Sequence, residues 1–141
     1  MVFNTLVIDD SVVMRKMIIR TLKMSGVPIG EIHEAGDGAE ALEVMEEQWI
    51  DLALVDINMP VMNGEEFIRR VRADESMRDL AIIVVSTESS EARIRALKEM
   101  RAAFVHKPFT PEMLREKIIQ VTGVSTDGPH LQVVGGGDLD F

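Results

Sequence analysis

The sequence predicts one α/β domain, a parallel sheet covered by helices on both faces. Three features lead there. Strand-length apolar runs alternate with longer stretches of helical spacing through most of the chain. The runs are continuously apolar, the pattern of strands buried on both sides, whereas half-exposed strands alternate. Each run is followed by a helical stretch, so successive strands are joined by crossovers and run parallel.

The first strand is Phe3-Asn4-Thr5-Leu6-Val7-Ile8. Val12, Val13, Met17, Ile18 and Leu22 mark the helix after it, and Gly26 and Pro28 end that helix. The second strand is fainter, since Glu31-Ile32-His33-Glu34-Ala35 has only one apolar face. Asp37 is placed to cap the second helix, whose apolar positions are Ala39, Leu42, Val44 and Met45. Leu52–Val55 is the third strand, with Phe67, Ile68 and Val71 in the helix that follows. Ala81–Val85 is the fourth, followed by Ile94, Ala96, Leu97 and Met100 at helical spacing. Ala103–Val105 is the fifth. The last helix opens on Thr110-Pro111-Glu112, a cap, a proline at the first helical position and an acid in the first turn. Met113, Leu114, Ile118, Ile119 and Val121 form its apolar face, and Gly123 ends it. The ten methionines, several on helix faces, read as core filler. After Gly123 the composition shifts to proline, a Gly135-Gly136-Gly137 run and an acidic end. Residues 1–123 are therefore expected to form the domain, and 124–141 a flexible tail with one apolar island, Leu131–Val134.

Length and charge bound the function. A chain of 141 residues is one domain, and a hydrophobic content of 46% supplies a core and argues against disorder. No apolar run approaches the ~18 residues of a membrane span, and no basic-then-apolar leader opens the chain. The expected location is the cytoplasm, with no membrane partner. The absence of cysteine excludes disulfides, zinc–thiolate sites and thiol nucleophiles. A formal charge of −9 argues against nucleic acid as a partner. Solubility accounts for that charge as well as a cation site or a basic protein partner does. His33, His106 and His130 are scattered without metal-ligand spacing, and Arg93, Arg95, Lys98 and Arg101 read as a solvated helix face.

The informative polar residues fall at strand ends. In open parallel sheets, ligands bind beyond the carboxyl ends of the strands. Those ends carry Asp9-Asp10, Asp56, Ser86-Thr87 and Lys107. Singly, each has a plain reading: an N-cap, a turn, a helix-start hydroxyl, a strand end. Jointly they bring three carboxylates, a hydroxyl and an ammonium to one rim. Close carboxylates repel unless protons or a cation hold them together, and an all-oxygen set suits a hard ion such as Mg²⁺. Two cations and a donor converging on an aspartate are the equipment of phosphoryl transfer, with the carboxylate as nucleophile.

These stretches, "LVIDDS" (6–11), "LALVDINMPVMNG" (52–64), "IVVST" (83–87) and "HKPF" (106–109), resemble a response-regulator receiver domain of the two-component and chemotaxis kind. The resemblance spans residues 3 to about 122. It implies a flavodoxin-like, doubly wound sheet of five parallel strands in the order 2-1-3-4-5, with five helices. It implies Asp56 as phosphoacceptor, and Mg²⁺ held by Asp9, Asp10, Asp56 and the backbone carbonyl of Asn58. Lys107 would contact the phosphoryl group. Ser86 would move to it, and Phe104 would swing inward on activation. Asn58, Thr87 and Glu88 would tune the lifetime of the phosphate, and Lys107-Pro108 would be a cis step. The implied partners are a histidine kinase or phosphotransfer protein, and an output protein on the fourth helix, fifth strand and fifth helix. The implied chemistry is that of a phosphoacceptor, with no cofactor beyond Mg²⁺ and no enzymatic turnover. Two places depart from the family pattern: Thr87 stands where alanine is commoner, and Met100-Arg101 replaces a Gly-Ala step before the fifth strand. The spacing from the fourth helix to Lys107 is about one residue short.

A receiver fold can serve as a phosphorylation-independent interaction module, or as a fragment of a longer regulator. A dinucleotide oxidoreductase would need a glycine fingerprint after the first strand, where this chain has Asp9-Asp10-Ser11.

Overall fold

The computed structural model describes residues 2–125 and 132–133. Five parallel strands, β1 (Phe3–Ile8), β2 (Ile29–Ala35), β3 (Leu52–Val55), β4 (Ala81–Ser86) and β5 (Ala102–His106), form one sheet in the order β2-β1-β3-β4-β5. Five helices connect them: α1 (Val12–Met24), α2 (Gly38–Glu47), α3 (Gly64–Ala73), α4 (Glu91–Glu99) and α5 (Pro111–Thr122). The expected architecture is the observed one.

Because alternate residues of a strand point to opposite faces, the sheet has two cores. Leu6, Ile8, Ala53, Val55, Ile82 and Val84 face α2, α3 and α4, with Phe67, Ile68, Val71 and Leu97 packed on them. Val7, Leu52, Leu54, Ile83, Val85 and Val105 face α1 and α5, against Ile18, Leu22, Leu114 and Ile118. The central strand β3 is buried at all four positions, as its unbroken apolar run requires.

Helix starts follow local chemistry. Asp37 accepts a hydrogen bond from the Glu40 N–H, and Thr110 from the Met113 N–H. Ser11, Asn63 and Ser90 cap α1, α3 and α4 in the same way. Gly123 ends α5 in the left-handed conformation, φ 74°.

The structure adds local detail to these readings. On α1 only Ile18 and Leu22 are buried, while Val12, Val13 and Met17 are 52%, 69% and 57% exposed. A helix lying on a sheet buries one stripe, and the apolar positions of α1 are wider than that stripe. Among the described methionines, Met59 is the one in the buried core, and Met14, Met45, Met62, Met77 and Met100 pack half-buried at its margin. Strand β2 starts at Ile29, two residues before the apolar face suggests. There the Asn4 side chain accepts from the Glu31 N–H at 2.9 Å and the β1–β2 register shifts between Phe3 and Thr5. Residues Val124–Ser125 and Gln132–Val133 form a two-residue antiparallel ladder, β6 and β7, apart from the main sheet. The remainder of the expected tail lies outside the described residues.

Candidate phosphoacceptor site

The sheet's own hydrogen bonds carry past the strand ends and fix the residues of the rim. Asp9 N donates to Ala35 O at 3.1 Å, Asp56 N to Ile8 O at 3.0 Å and Lys107 N to Ser86 O at 2.9 Å. Neighbouring strands therefore hold three chemically active residues in register. The α1 cap is Ser11, which leaves Asp9 and Asp10 free of that duty.

Asp9 is 2% exposed, Asp56 half-buried and Asp10 exposed, and each offers a carboxylate oxygen within 4.8 Å of the others. Asp9 Oδ1 accepts from the Ser11 N–H at 2.9 Å. Asp9 Oδ2 is buried without a hydrogen-bond partner, although the Lys107 ammonium lies 3.5 Å from it. That contact is an ion pair of charges and not a directed bond. A buried, unpartnered carboxylate oxygen beside two more carboxylates fits a hard divalent cation. Asp56 Oδ1 accepts from the Ile57 N–H at 2.9 Å, which fixes its carboxylate. Burial pushes the Asp56 carboxyl above its ordinary pKa; Lys107 opposes the shift and Asp9 adds to it.

Ser86 ends β4, 1% exposed, and its Oγ accepts from the Glu88 N–H at 3.1 Å. Thr87 is exposed on the same rim, and Asn58 is exposed in the β3–α3 loop. Phe104 lies two residues short of the rim, paired with Val84, half-buried against the α2–α3–α4 core, its ring 6.3 Å from that of His106. The structure thus gathers Asp9, Asp10, Asp56 and Lys107, sets Ser86 beside them through the Lys107 backbone, and keeps Phe104 at a distance. The Lys107-Pro108 bond is cis, as the resemblance implies.

Four features of the surroundings escape sequence reasoning. Arg93, expected on a solvated face, instead donates to Glu65 on α3 at 3.1 and 2.9 Å and to Glu88 at 2.8 Å. Glu88 sits below its ordinary pKa, first through the Ser90 N–H and then through Arg93. Arg101, at the departing Met100-Arg101 step, adopts φ 63°, a conformation glycine takes freely. Val61 adopts φ 63° between Pro60 O and Met62 N, which are 2.6 Å apart, so the loop after Asp56 turns within three residues. Arg72, unremarkable in sequence, donates to the carbonyls of Met100, Arg78, Leu80 and Arg101. Pro60 is a local signal for the Val61 turn and the Met100-Arg101 departure one for Arg101, whereas the Arg93 and Arg72 contacts have none.

Fold and site together define a class: a doubly wound α/β protein with an acid triad and one lysine at the carboxyl rim of its sheet. The chain belongs to the response regulator receiver domain family, which it matches over residues 5–119. It is 39% identical over 123 residues to the Chemotaxis protein CheY homolog of Campylobacter jejuni, covering 86% of this chain and 93% of that one. It is also 39% identical to Chemotaxis protein CheY1 of Helicobacter pylori strain J99, covering 85% and 97%. Among solved structures it superposes on chemotaxis response regulator CheY4 of Vibrio cholerae with a TM-score of 0.74 at 34% identity, covering 86% and 99%. The chain is a CheY-like receiver domain of two-component signalling. Among the described residues no helix is long and apolar enough to cross a membrane.

Proposed function

We propose that this receiver takes a phosphoryl group on Asp56 from the phosphohistidine of a kinase or phosphotransfer protein. The single observation that carries the reading is the buried, unpartnered Asp9 Oδ2 beside Asp10, Asp56 and Lys107. An Asp56 carboxylate oxygen attacks phosphorus, and the phosphorus–nitrogen bond to the donor imidazole breaks. The electron pair returns to the ring, which takes up a proton, and an acyl phosphate is left on Asp56. Asp9, Asp10, Asp56 and the Asn58 carbonyl would hold Mg²⁺, which supplies positive charge against the phosphoryl oxygens.

The Ile57 N–H keeps the Asp56 carboxylate oriented, and the Lys107 ammonium compensates charge at the rim. Ser86 is the switch: to reach the phosphate its hydroxyl leaves the Glu88 N–H, which frees the β4–α4 loop. Phe104 would follow from its half-buried position, altering the α4–β5–α5 surface where an output protein binds. Thr87, Glu88 and Asn58 line the approach of water and so set the lifetime of the phosphate. The working unit is residues 1–123, with 124–141 as an appended tail, acting in the cytoplasm.

The test is intact-protein mass after incubation with acetyl phosphate and Mg²⁺. One added phosphoryl mass in the wild type, absent without Mg²⁺ and absent in Asp56→Asn, is expected. A chain that gains no mass, or gains it unchanged in Asp56→Asn, overturns the reading in favour of a phosphorylation-independent module.

A further inference from the structure

At the rim of the sheet opposite the acid triad, the end of α2 and the α3–β4 connection enclose a cleft of about 400 Å³. It opens where β3 and β4 begin, so it shares no residue with the phosphoacceptor site. Its floor and walls include Met45, Ile50, Met77 and Leu80. On its edge stands Trp49, the chain's one tryptophan, 75% exposed.

Three features set this cleft apart from an ordinary surface dent. The indole is held: Trp49 Nε1 donates to Asp51 Oδ1 at 2.8 Å, and Asp51 Oδ2 accepts from the Asn4 N–H at 2.9 Å. A large aromatic ring is thus fixed in the open, already ordered for contact, and aromatic anchors of this kind dominate protein interfaces. Among the described residues the charged lining is acidic, Asp51, Glu75 and Asp79 with no lysine or arginine, and Arg72 behind the cleft lies within electrostatic reach of Asp79. Glu75 and Asp79 are exposed, with Asp51 alone committed to holding the ring. The apolar part is methionine-rich, and methionine adapts its shape to a guest.

We propose that this cleft docks a basic peptide segment of a partner protein, one that pairs an arginine or lysine with an apolar anchor. The cation would lie over the Trp49 ring and reach Glu75 and Asp79, while the anchor enters between Met77 and Leu80. Charge selects this occupant. A second copy would bring the same acidic lining against itself, on a chain of formal charge −9. The chain's own segment 124–141 carries Asp127, Asp138 and Asp140 and neither lysine nor arginine. An anionic bilayer repels the same carboxylates. Because the cleft and the acid triad lie on opposite rims, a partner held here leaves Asp56 open, and the inference stands whether or not Asp56 is phosphorylated.

Trp49 is its own reporter. The full chain is titrated with a synthetic arginine–leucine peptide, and with a glutamate–leucine peptide of the same length, while Trp49 emission is followed. A saturating blue shift with the basic peptide alone is expected, weakening as salt rises. The double variant Glu75→Gln/Asp79→Asn is expected to bind about tenfold more weakly, the equivalent of about 1.4 kcal/mol. Glu112→Gln/Glu116→Gln, which removes the same charge from α5, is expected to bind like the wild type. Equal weakening by both double variants would reduce the effect to the chain's overall charge and overturn the proposal. So would the absence of a saturable shift, a shift that grows with protein concentration alone, or one produced by phosphatidylserine vesicles instead of the peptide.

Discussion

Replacing Gly64 by alanine should damage both the stability of the receiver and its phosphoacceptor site. Gly64 opens α3, and its N–H donates to Ile57 O at 2.9 Å, closing the loop that follows Asp56. A Cβ built on Gly64 would stand 2.4 Å from Asp56 O, 2.9 Å from Ile57 Cα and 3.1 Å from the Asp56 carbonyl carbon. All three neighbours are backbone, so no side chain can rotate away. Even the closest tolerable approach, 3.0 Å, requires a shift of 3.0 − 2.4 = 0.6 Å. Either α3 moves off, losing the Ile57 bond, or the Asp56–Ile57 peptide moves and takes the Asp56 carboxylate with it. Overpacking of this kind costs about 1–3 kcal/mol. At about 4 °C per kcal/mol for a domain of this size, melting falls by about 4–12 °C. Misplacement of a reacting group by a substantial fraction of an ångström should slow phosphoryl uptake from acetyl phosphate by about tenfold. Gly38→Ala is the control, because its Cβ meets the Met62 side chain at 2.8–3.0 Å, a flexible group that can turn aside. Calorimetry and the time course of mass gain read both variants. A Gly64→Ala protein that melts and labels like the wild type refutes the steric account.

The pH dependence of Asp56 has a definite sign. Burial raises its folded pKa above the unfolded value, so the folded chain holds that proton more tightly, and the associated stability is lost as pH rises through the window above the ordinary aspartate value. In chelator, the melting temperature of Asp56→Asn relative to wild type should therefore climb as pH rises from acid toward neutral; a flat difference contradicts the assignment. Arg72→Ala should lower stability by about 1–3 kcal/mol, since four carbonyls from the α3–β4 turn and the entry to β5 lose one shared donor. Arg72→Lys should recover only part of this, because an ammonium cannot match the planar fork, and an unchanged melting temperature in Arg72→Ala would show that water replaces it fully.

The strands were legible because parallel strands buried on both faces must be apolar throughout, as Leu52–Val55 and residues 81–85 are. Edge strand β2 was faint for the converse reason: it has one neighbour, four of its seven residues are polar or glycine, and Ala35 is its one buried position. Caps at Asp37 and Thr110, and the left-handed Gly123, follow from chemistry within four residues and could be read directly. The acid rim was legible because topology alone brings the carboxyl ends of parallel strands to one side.

What the sequence by itself determined, then, is the fold class, the strand-end positions of Asp9, Asp10, Asp56, Ser86 and Lys107, and their kinship with the receiver family. What only the tertiary structure decided is contact across sequence distance. It buried Asp9 Oδ2 without a partner, turned Arg93 from solvent to Glu65 and Glu88, and stretched Arg72 across four carbonyls. It also left Val12, Val13, Met17 and Trp49 facing outward. Local chemistry and strand period act between neighbours in the chain. Which side of a helix meets the sheet, and which distant carbonyl meets a long side chain, depends on how whole elements pack.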